Sequence, residues 1–346
     1  MSYHILHCHT HASDGVLTHE EVLSLAQKYN IGTIAFTDHD TLIDPELFAQ
    51  LKAAKHPVDI ISGIEVSANY MTEVPGEISL FHIIGLFVDP ENADLRAYCV
   101  NAKEKRLERA TRVVEGLCKT GFVLTVPEVL AQSDDGNVGR PHIVRALMMH
   151  PENLARVDAL MEKWKSVASS DPSQRSRYEI ALQKDTWGRI FDLVLVDQAF
   201  IPGIYVPYLH RLSMDEAVAL IRKAGGVAIL AHWSYIKHKL TPAVLEQIAK
   251  EGRIDGIETV YALSDPRSDE DTEFAASFDA DRAFIRTLIE KYNLIPGGGG
   301  DFHTSEDFAR LLDPANKALA EETVGFIDHI KRKFPSHPLK WSTLAT

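Results

Sequence analysis

Residues 6–15 read Leu6-His7-Cys8-His9-Thr10-His11-Ala12-Ser13-Asp14-Gly15. Histidines separated by one residue are at strand spacing. The side-chain period of a strand is two, so His7 and His9 project from one face and Cys8 from the other. Two imidazoles on one face, followed by the carboxylate of Asp14, make the beginning of a divalent-metal site. Ser13-Asp14-Gly15 reads as the turn that stops the strand and aims that carboxylate back at it. Taken alone, such a pair also describes two histidines on a surface edge strand. The rest of the chain decides between the two.

Working outward, Thr18 and Glu21 form a capping box ahead of an amphipathic helix from His19 to Tyr29. Gly32 resets the chain into the buried strand 33–37, which ends on Asp38-His39-Asp40-Thr41. A helix from Pro45 to Ala54 leads to a strand at 59–66 carrying Glu65. After a loop from Met71 to Glu77 comes a strand at 80–88 carrying His82. Strands that alternate with helices and end in metal-ligand residue types predict a parallel α/β barrel or sheet.

The alternation breaks at 92 to about 120, a long charged helix stopped by Gly121. Its basic face at 103–112 reads as solvated, with Arg106 or Arg109 as the residues that would turn inward. A helix opens at Val126-Pro127-Glu128 and another at Gly139-Arg140-Pro141-His142. Residues 150–200 read as helical with flexible connections, and Tyr205-Val206-Pro207 as a strand. From Met214 the rhythm resumes. A helix at 215–223 precedes the strand 227–232 ending on His232, and a helix at 242–251 precedes the strand 256–260. A helix at 280–292 then leads through Leu294-Ile295-Pro296 and Gly297–Gly300 to Asp301-Phe302-His303. Four glycines allow backbone to approach a ligand or metal more closely than any Cβ permits. The last dozen residues read as loose.

With 346 residues, 45% hydrophobic and 25% charged, the chain has the make-up of a soluble α/β protein with an insertion or a second domain. A formal charge of −13 argues against a broad basic surface for long nucleic acid. It leaves small anionic substrates open, because a metal cluster reverses the local sign. Three cysteines without a CxxC pattern suggest a reducing compartment. With no apolar run of membrane-spanning length and no room for a signal peptide, a cytoplasmic location is expected, with no membrane partner.

Six strand ends thus carry ligand types: His7 and His9 with Asp14, His39, Glu65, His82, His232, and Asp301 with His303. At the carboxyl ends of parallel strands these converge. Nine N/O donors exceed one tetrahedral or octahedral ion and imply two or three, with a carboxylate such as Glu65 bridging. Such sites polarise phosphoryl groups and ionise water at neutral pH. His4, His11, His150 and His238 read as structural, and Cys8 as packing.

These motifs, in this order, resemble the PHP (polymerase and histidinol phosphatase) family of metal-dependent phosphoesterases. With the Arg140 insertion, they are most similar to the subgroup of nucleoside 3′,5′-bisphosphate phosphatases and 5′-to-3′ exoribonucleases of short RNA. The resemblance implies a distorted (β/α)7 TIM-like barrel with an inserted, mainly helical domain. The barrel would occupy residues 1–91 and 206–346, and the insertion 92–205. It also implies a trinuclear site: His7, His9, Glu65 and Asp301 on one ion, Glu65, His82 and His232 on a second, and Asp14, His39 and His303 on a third. Manganese is the first expectation, with iron, zinc or magnesium as alternatives. Gly139, Arg140 and His142 would bind substrate, Arg140 gripping a phosphate and stabilising charge while metal-bound hydroxide attacks phosphorus. Four departures stand out: Ile5 where the family usually has Asp, with the loss of a supporting hydrogen bond expected; Trp233 where Pro is common; Gly300 where Ser is frequent; and a longer stretch at 150–200. The expected function is hydrolysis of a 3′,5′-bisphosphate nucleotide. The alternatives are 5′-to-3′ cleavage of short 5′-phosphorylated oligonucleotides, a small-molecule phosphatase such as histidinol phosphatase, an amidohydrolase, and a non-catalytic metal-binding barrel.

Overall fold

The strands order themselves by burial: five of the six residues 31–36 and all four of 227–230 are buried, as suits a sheet covered on both faces. The computed structural model describes residues 2–54, 56–71, 78–261 and 272–334; most of the expected 71–77 loop and the last dozen residues lie outside them. The strands are β1 (Tyr3–Ile5), β2 (Ile31–Phe36), β3 (Asp59–Met71), β4 (Ile78–Leu86), β5 (Leu212–Ser213), β6 (Val227–Leu230), β7 (Gly256–Val260) and β8 (Ile295–Gly298). They hydrogen-bond in the order β1-β2-β3-β4-β6-β7-β8, with the short β5 beside β3.

The sheet is mainly parallel, with one correction to the all-parallel expectation. β4 runs antiparallel to both β3 and β6. The reason is local: β3 ends at Met71 and β4 begins at Ile78, a connection shorter than the dozen or more residues that a parallel crossover needs. Backbone hydrogen bonds also run from the stretch after β1 to that after β8, Leu6 N–H to Gly298 O at 2.8 Å and His9 N–H to Phe302 O at 2.7 Å.

Helices cover the sheet. The helix His19–Lys28 starts on the expected Thr18–Glu21 capping box. Met214–Lys223 starts on a second box, Ser213 with Glu216, and buries Met214, Ala217, Val218 and Ile221, the spacing of one helical face. Gly85 of β4 makes room for that face, since a Cβ there would lie 3.0 Å from Ile221.

The chain divides into two compact units, residues 1–100 with 211–346, and residues 101–210. The second contains the helices Val126–Leu130, Arg140–Met148, Pro151–Ser170, Pro172–Gln183 and Thr186–Ile190, followed by a π-helical turn at Phe191–Leu195. The stretch 150–200 is therefore helical, with its own core around Trp164, Leu147 and Leu193. Tyr205-Val206-Pro207 is not a strand; its backbone is drawn instead to a side chain, with Arg109 Nε donating to Val206 O at 2.6 Å.

Trp164 is 1% exposed, stacks on Phe200 at 5.0 Å and donates its indole N–H to Gln174. Trp164→Ala is expected to cost this unit about 3–5 kcal/mol, read as a lower urea midpoint of its unfolding transition; an unchanged midpoint would contradict the packing described.

Candidate metal centre

The nine expected residues all lie within the unit formed by 1–100 and 211–346: seven come from the stretches beyond β1, β2, β6 and β8, while Glu65 and His82, expected at strand ends, sit inside β3 and β4. β1 ends at Ile5, so His7 and His9 lie just past it, in a stretch kept extended by a bridge between Cys8 and Phe302. The two imidazoles do share a face, with Nε2 atoms 3.1 Å apart. Cys8 turns away and is buried.

Glu65 stands at the middle. Its Oε2 lies 2.8 Å from His39 Nδ1, 3.2 Å from His9 Nε2 and 3.4 Å from His7 Nε2. Its Oε1 lies 3.1 Å from both His82 Nδ1 and His232 Nε2. Asp301 Oδ1 faces His9 Nε2 at 3.0 Å and His7 Nε2 at 3.2 Å. Asp14 closes the other side, with Oδ1 3.2 Å from His303 Nε2 and Oδ2 3.7 Å from His39 Nε2.

The donor atoms form three overlapping groups, each within 4.8 Å: His9, Asp14, His39 and His303; His7, His9 and Asp301; His39, Glu65 and His82. The grouping differs from the implied assignment, since His9 and His39 each belong to two groups. Neutral imidazole and carboxylate together suit manganese, iron or zinc. The buried oxygens Glu65 Oε2 and Asp301 Oδ1 face imidazole nitrogens of the cluster, so their lone pairs are aimed into it. The donor set therefore fits divalent ions.

The electrostatics say the same. Burial works against ionising Glu65, but the charges of His39, His82 and His7 hold it well below the ordinary carboxylate range. Asp14 and Asp301 are likewise held low against burial, Asp14 by His39 and His303 and Asp301 by His7 and His303. Burial would push His9 down, yet hydrogen bonds to Asp301 and Glu65 carry it up to about 10. His82 alone of the set is pushed down, by burial.

Three buried carboxylates that hold the site in place were not assigned a role from sequence. Asp38 accepts from Thr10 N–H, Thr10 Oγ1 and Ser13 Oγ at 2.6–2.8 Å, fixing the turn that carries Asp14. Asp40 accepts from Ser67 N–H and Oγ, both at 2.7 Å, and from Tyr98. Glu258 accepts from His7 Nδ1 at 2.8 Å. The usable signal was an acid inside an apolar strand, Gly256-Ile257-Glu258-Thr259-Val260. Ile5 belongs to the apolar core, and His7 has its carboxylate partner nonetheless.

The glycine run also differs from expectation. Gly298, Gly299 and Gly300 all have positive φ, and the close approaches at Gly298 and Gly299 are to the chain's own strands, β7 and β1. A Cβ on Gly299 would lie 2.8 Å from Ile5 Cα. Trp233 is buried and donates to Leu240 O. Arg140 opens its helix in the other unit, donating to Leu195 O at 3.3 Å with its guanidinium over Phe191. His142 is buried, and its Nδ1 accepts Gly139 N–H at 2.9 Å.

These pKa shifts set a pH dependence for metal-stripped protein. His9, at about 10 when folded against 6.5 as a free side chain, contributes fully below pH 6.5 and loses that contribution as pH rises toward 10. The depressed Asp14, Glu65 and Asp301 contribute above their unfolded values of about 4 and lose it on acidification. The urea midpoint after chelation is expected to peak between about pH 4.5 and 6.5 and fall toward pH 10. A midpoint that climbs steadily across that alkaline range would contradict the proton-sharing cluster.

Residues 6–108 match the family model described as PHP domain. The chain is 24% identical over 302 residues to the 5′-3′ exoribonuclease Rnm of Salmonella typhimurium, covering 86% of this chain and 84% of the relative. It is 25% identical over 308 residues to the 3′,5′-nucleoside bisphosphate phosphatase of Chromobacterium violaceum, covering 88% of each. Its fold is similar to that of a Bifidobacterium adolescentis protein described as a metal-dependent phosphoesterase, with a TM-score of 0.62 at 23% identity over 87% of this chain and 88% of that one. Over residues 6–108 the chain is thus similar to the PHP domain, and over most of its length to phosphoesterases of that kind.

Proposed function

We propose that this chain hydrolyses a phosphate ester of a nucleotide, a 3′,5′-bisphosphate nucleotide in the first place, with two or three divalent ions, manganese first. The observation that supports this most is Glu65, fully buried with five imidazoles within 3.4 Å of its two oxygens. Ions held by His7, His9, Asp14, His39, Glu65, His82, His232, Asp301 and His303 would polarise the phosphoryl group and ionise water at neutral pH. The protein's own contribution is to fix those donors in a largely dry setting, where electrostatic stabilisation is strongest.

The second phosphate is assigned to the helical unit, which we read as the insertion at 92–205. Arg140 heads a helix there, where a guanidinium fork and backbone N–H groups both suit a phosphate. Arg109 is held down to about 10 by burial and by the charges of Arg140 and Arg106. A buried guanidinium pressed by two neighbouring positive charges favours an anion beside it. Gly139 and His142 shape the start of that helix, and Arg140 is the residue assigned to the substrate. The basic helix face read as solvated thus contributes Arg106 and Arg109 to this cluster.

Cleavage of short 5′-phosphorylated oligonucleotides is the second reading, favoured by the exoribonuclease name of a relative aligned over most of both chains. No long nucleic acid is expected with a charge of −13. Cys8, Cys99 and Cys118, as thiols rather than disulfides, support a cytoplasmic setting. Among the described residues no helix is long and apolar enough to cross a membrane.

Phosphate release with Mn²⁺ from adenosine 3′,5′-bisphosphate, AMP, histidinol phosphate and a 5′-phosphorylated trinucleotide tests the proposal. Release from the bisphosphate is expected, reduced at least about 100-fold in Asp301→Asn, the loss of roughly 2.7 kcal/mol of transition-state stabilisation. Arg140→Ala should raise KM for the bisphosphate and leave AMP turnover nearly unchanged. Turnover of the trinucleotide alone selects the second reading, turnover of histidinol phosphate indifferent to Arg140 refutes the substrate, and metal uptake without any turnover points to the non-catalytic barrel.

A further inference from the structure

Glu258 is fully buried in the middle of β7. A carboxylate there must have partners to be tolerated at all. It has two, and both belong to the metal centre. Oε1 lies 2.8 Å from His7 Nδ1, and Oε2 accepts the backbone N–H of His232 at 2.6 Å.

Each contact fixes a donor. With Nδ1–H given to Glu258, the lone pair of His7 sits on Nε2, the atom that faces His9, Asp301 and Glu65. His232 is held at φ 29°, ψ 50°, a left-handed conformation that a residue with a Cβ adopts at a cost. That backbone turn carries its Nε2 to 3.1 Å from Glu65 and 3.3 Å from His82. Space for the carboxylate comes from Gly298, where a Cβ would lie 2.4 Å from Glu258 Cγ and 2.8 Å from Oε1. A carboxylate inside β7, a glycine at the end of β8 and a strained histidine just past β6 therefore fit one another.

We infer that Glu258 is the positioning residue of the centre, one carboxylate setting the tautomer of His7 and the backbone of His232 so that both present Nε2 to the ions. The inference rests on the metal reading of the site. It requires two acceptor oxygens. Glutamine has the shape but only one, so Glu258→Gln must either lose a contact or donate its amide N–H to His7 Nδ1, which puts the His7 proton on Nε2 and takes that atom from the ions.

The test is manganese binding by the full chain, measured as ions per chain and as affinity, with the absorption spectrum of Co²⁺-loaded protein as a geometric readout. Wild type should bind at least two ions, and Glu258→Gln should bind manganese about 10–100-fold more weakly, with an altered Co²⁺ spectrum and unchanged far-ultraviolet circular dichroism. Glu258→Asp, which keeps both oxygens, should recover part of the affinity. Nitrogen-15 shifts of the histidines in metal-free wild type should show His7 protonated on Nδ1, a measurement that does not depend on any variant folding. Wild-type affinity and spectrum in Glu258→Gln would overturn the inference, as would His7 protonated on Nε2 alone. A wild type that takes up no metal would instead overturn the reading of the site itself, and the inference with it.

Discussion

A buried carboxylate is tolerated only if positive charge or hydrogen-bond donors surround it, and this molecule is arranged to satisfy that condition at Glu65. Both its oxygens are enclosed by imidazoles rather than by backbone N–H groups. Imidazole answers the charge in two ways: it takes up a proton, or it helps hold a cation. The first leaves His9 protonated up to about 10. The second exchanges those protons for ions, so metal uptake releases protons and strengthens with pH. Folding stability and metal affinity therefore draw on the same cluster in opposite directions along the pH scale.

The sheet explains how residues so far apart in sequence supply that cluster. Parallel strands bring the stretches after β1, β2, β6 and β8 to one end, and with them His7, His9, His39, His232, Asp301 and His303. The reversed strand β4 serves the same end differently. In its antiparallel pairing with β3, Glu65 is opposite Ile84 and Ser67 opposite His82. Residues two apart share a face, so Glu65 and His82 are diagonal neighbours. A parallel connection would have needed a helix between them and a longer chain.

The side chains that do the chemistry were legible because each interrupts a pattern: a polar residue of ligand type at the end of an apolar run, repeated along the chain. The capping boxes at Thr18 and Ser213 and the glycine stop at Gly121 express themselves locally, and helix starts and ends follow from them. The reversal of β4 was not legible, since an apolar run reads alike in either direction. Nor were Asp38, Asp40 and Glu258, whose partners Thr10, Ser67 and His7 are brought to them only by the sheet. Glu258 and His7 are 251 residues apart, and no periodicity links them. A buried acid announces that a partner exists without saying which.

An acidic protein that acts on an anion needs its charge inverted locally, and two devices here do so by different physics. At the metal centre, three carboxylates with six neutral imidazoles would be outweighed by two or three divalent ions, leaving net positive charge where a phosphoryl group would bind. In the helical unit, Arg109 is held down to about 10 by burial and by Arg140 and Arg106. Burial and the neighbouring charges raise the energy of the charged Arg109, and an anion placed beside it would offset them. The first device depends on metal and the second does not. Chelation should therefore remove the first device and leave the arginine cluster of the helical unit its attraction for a phosphate.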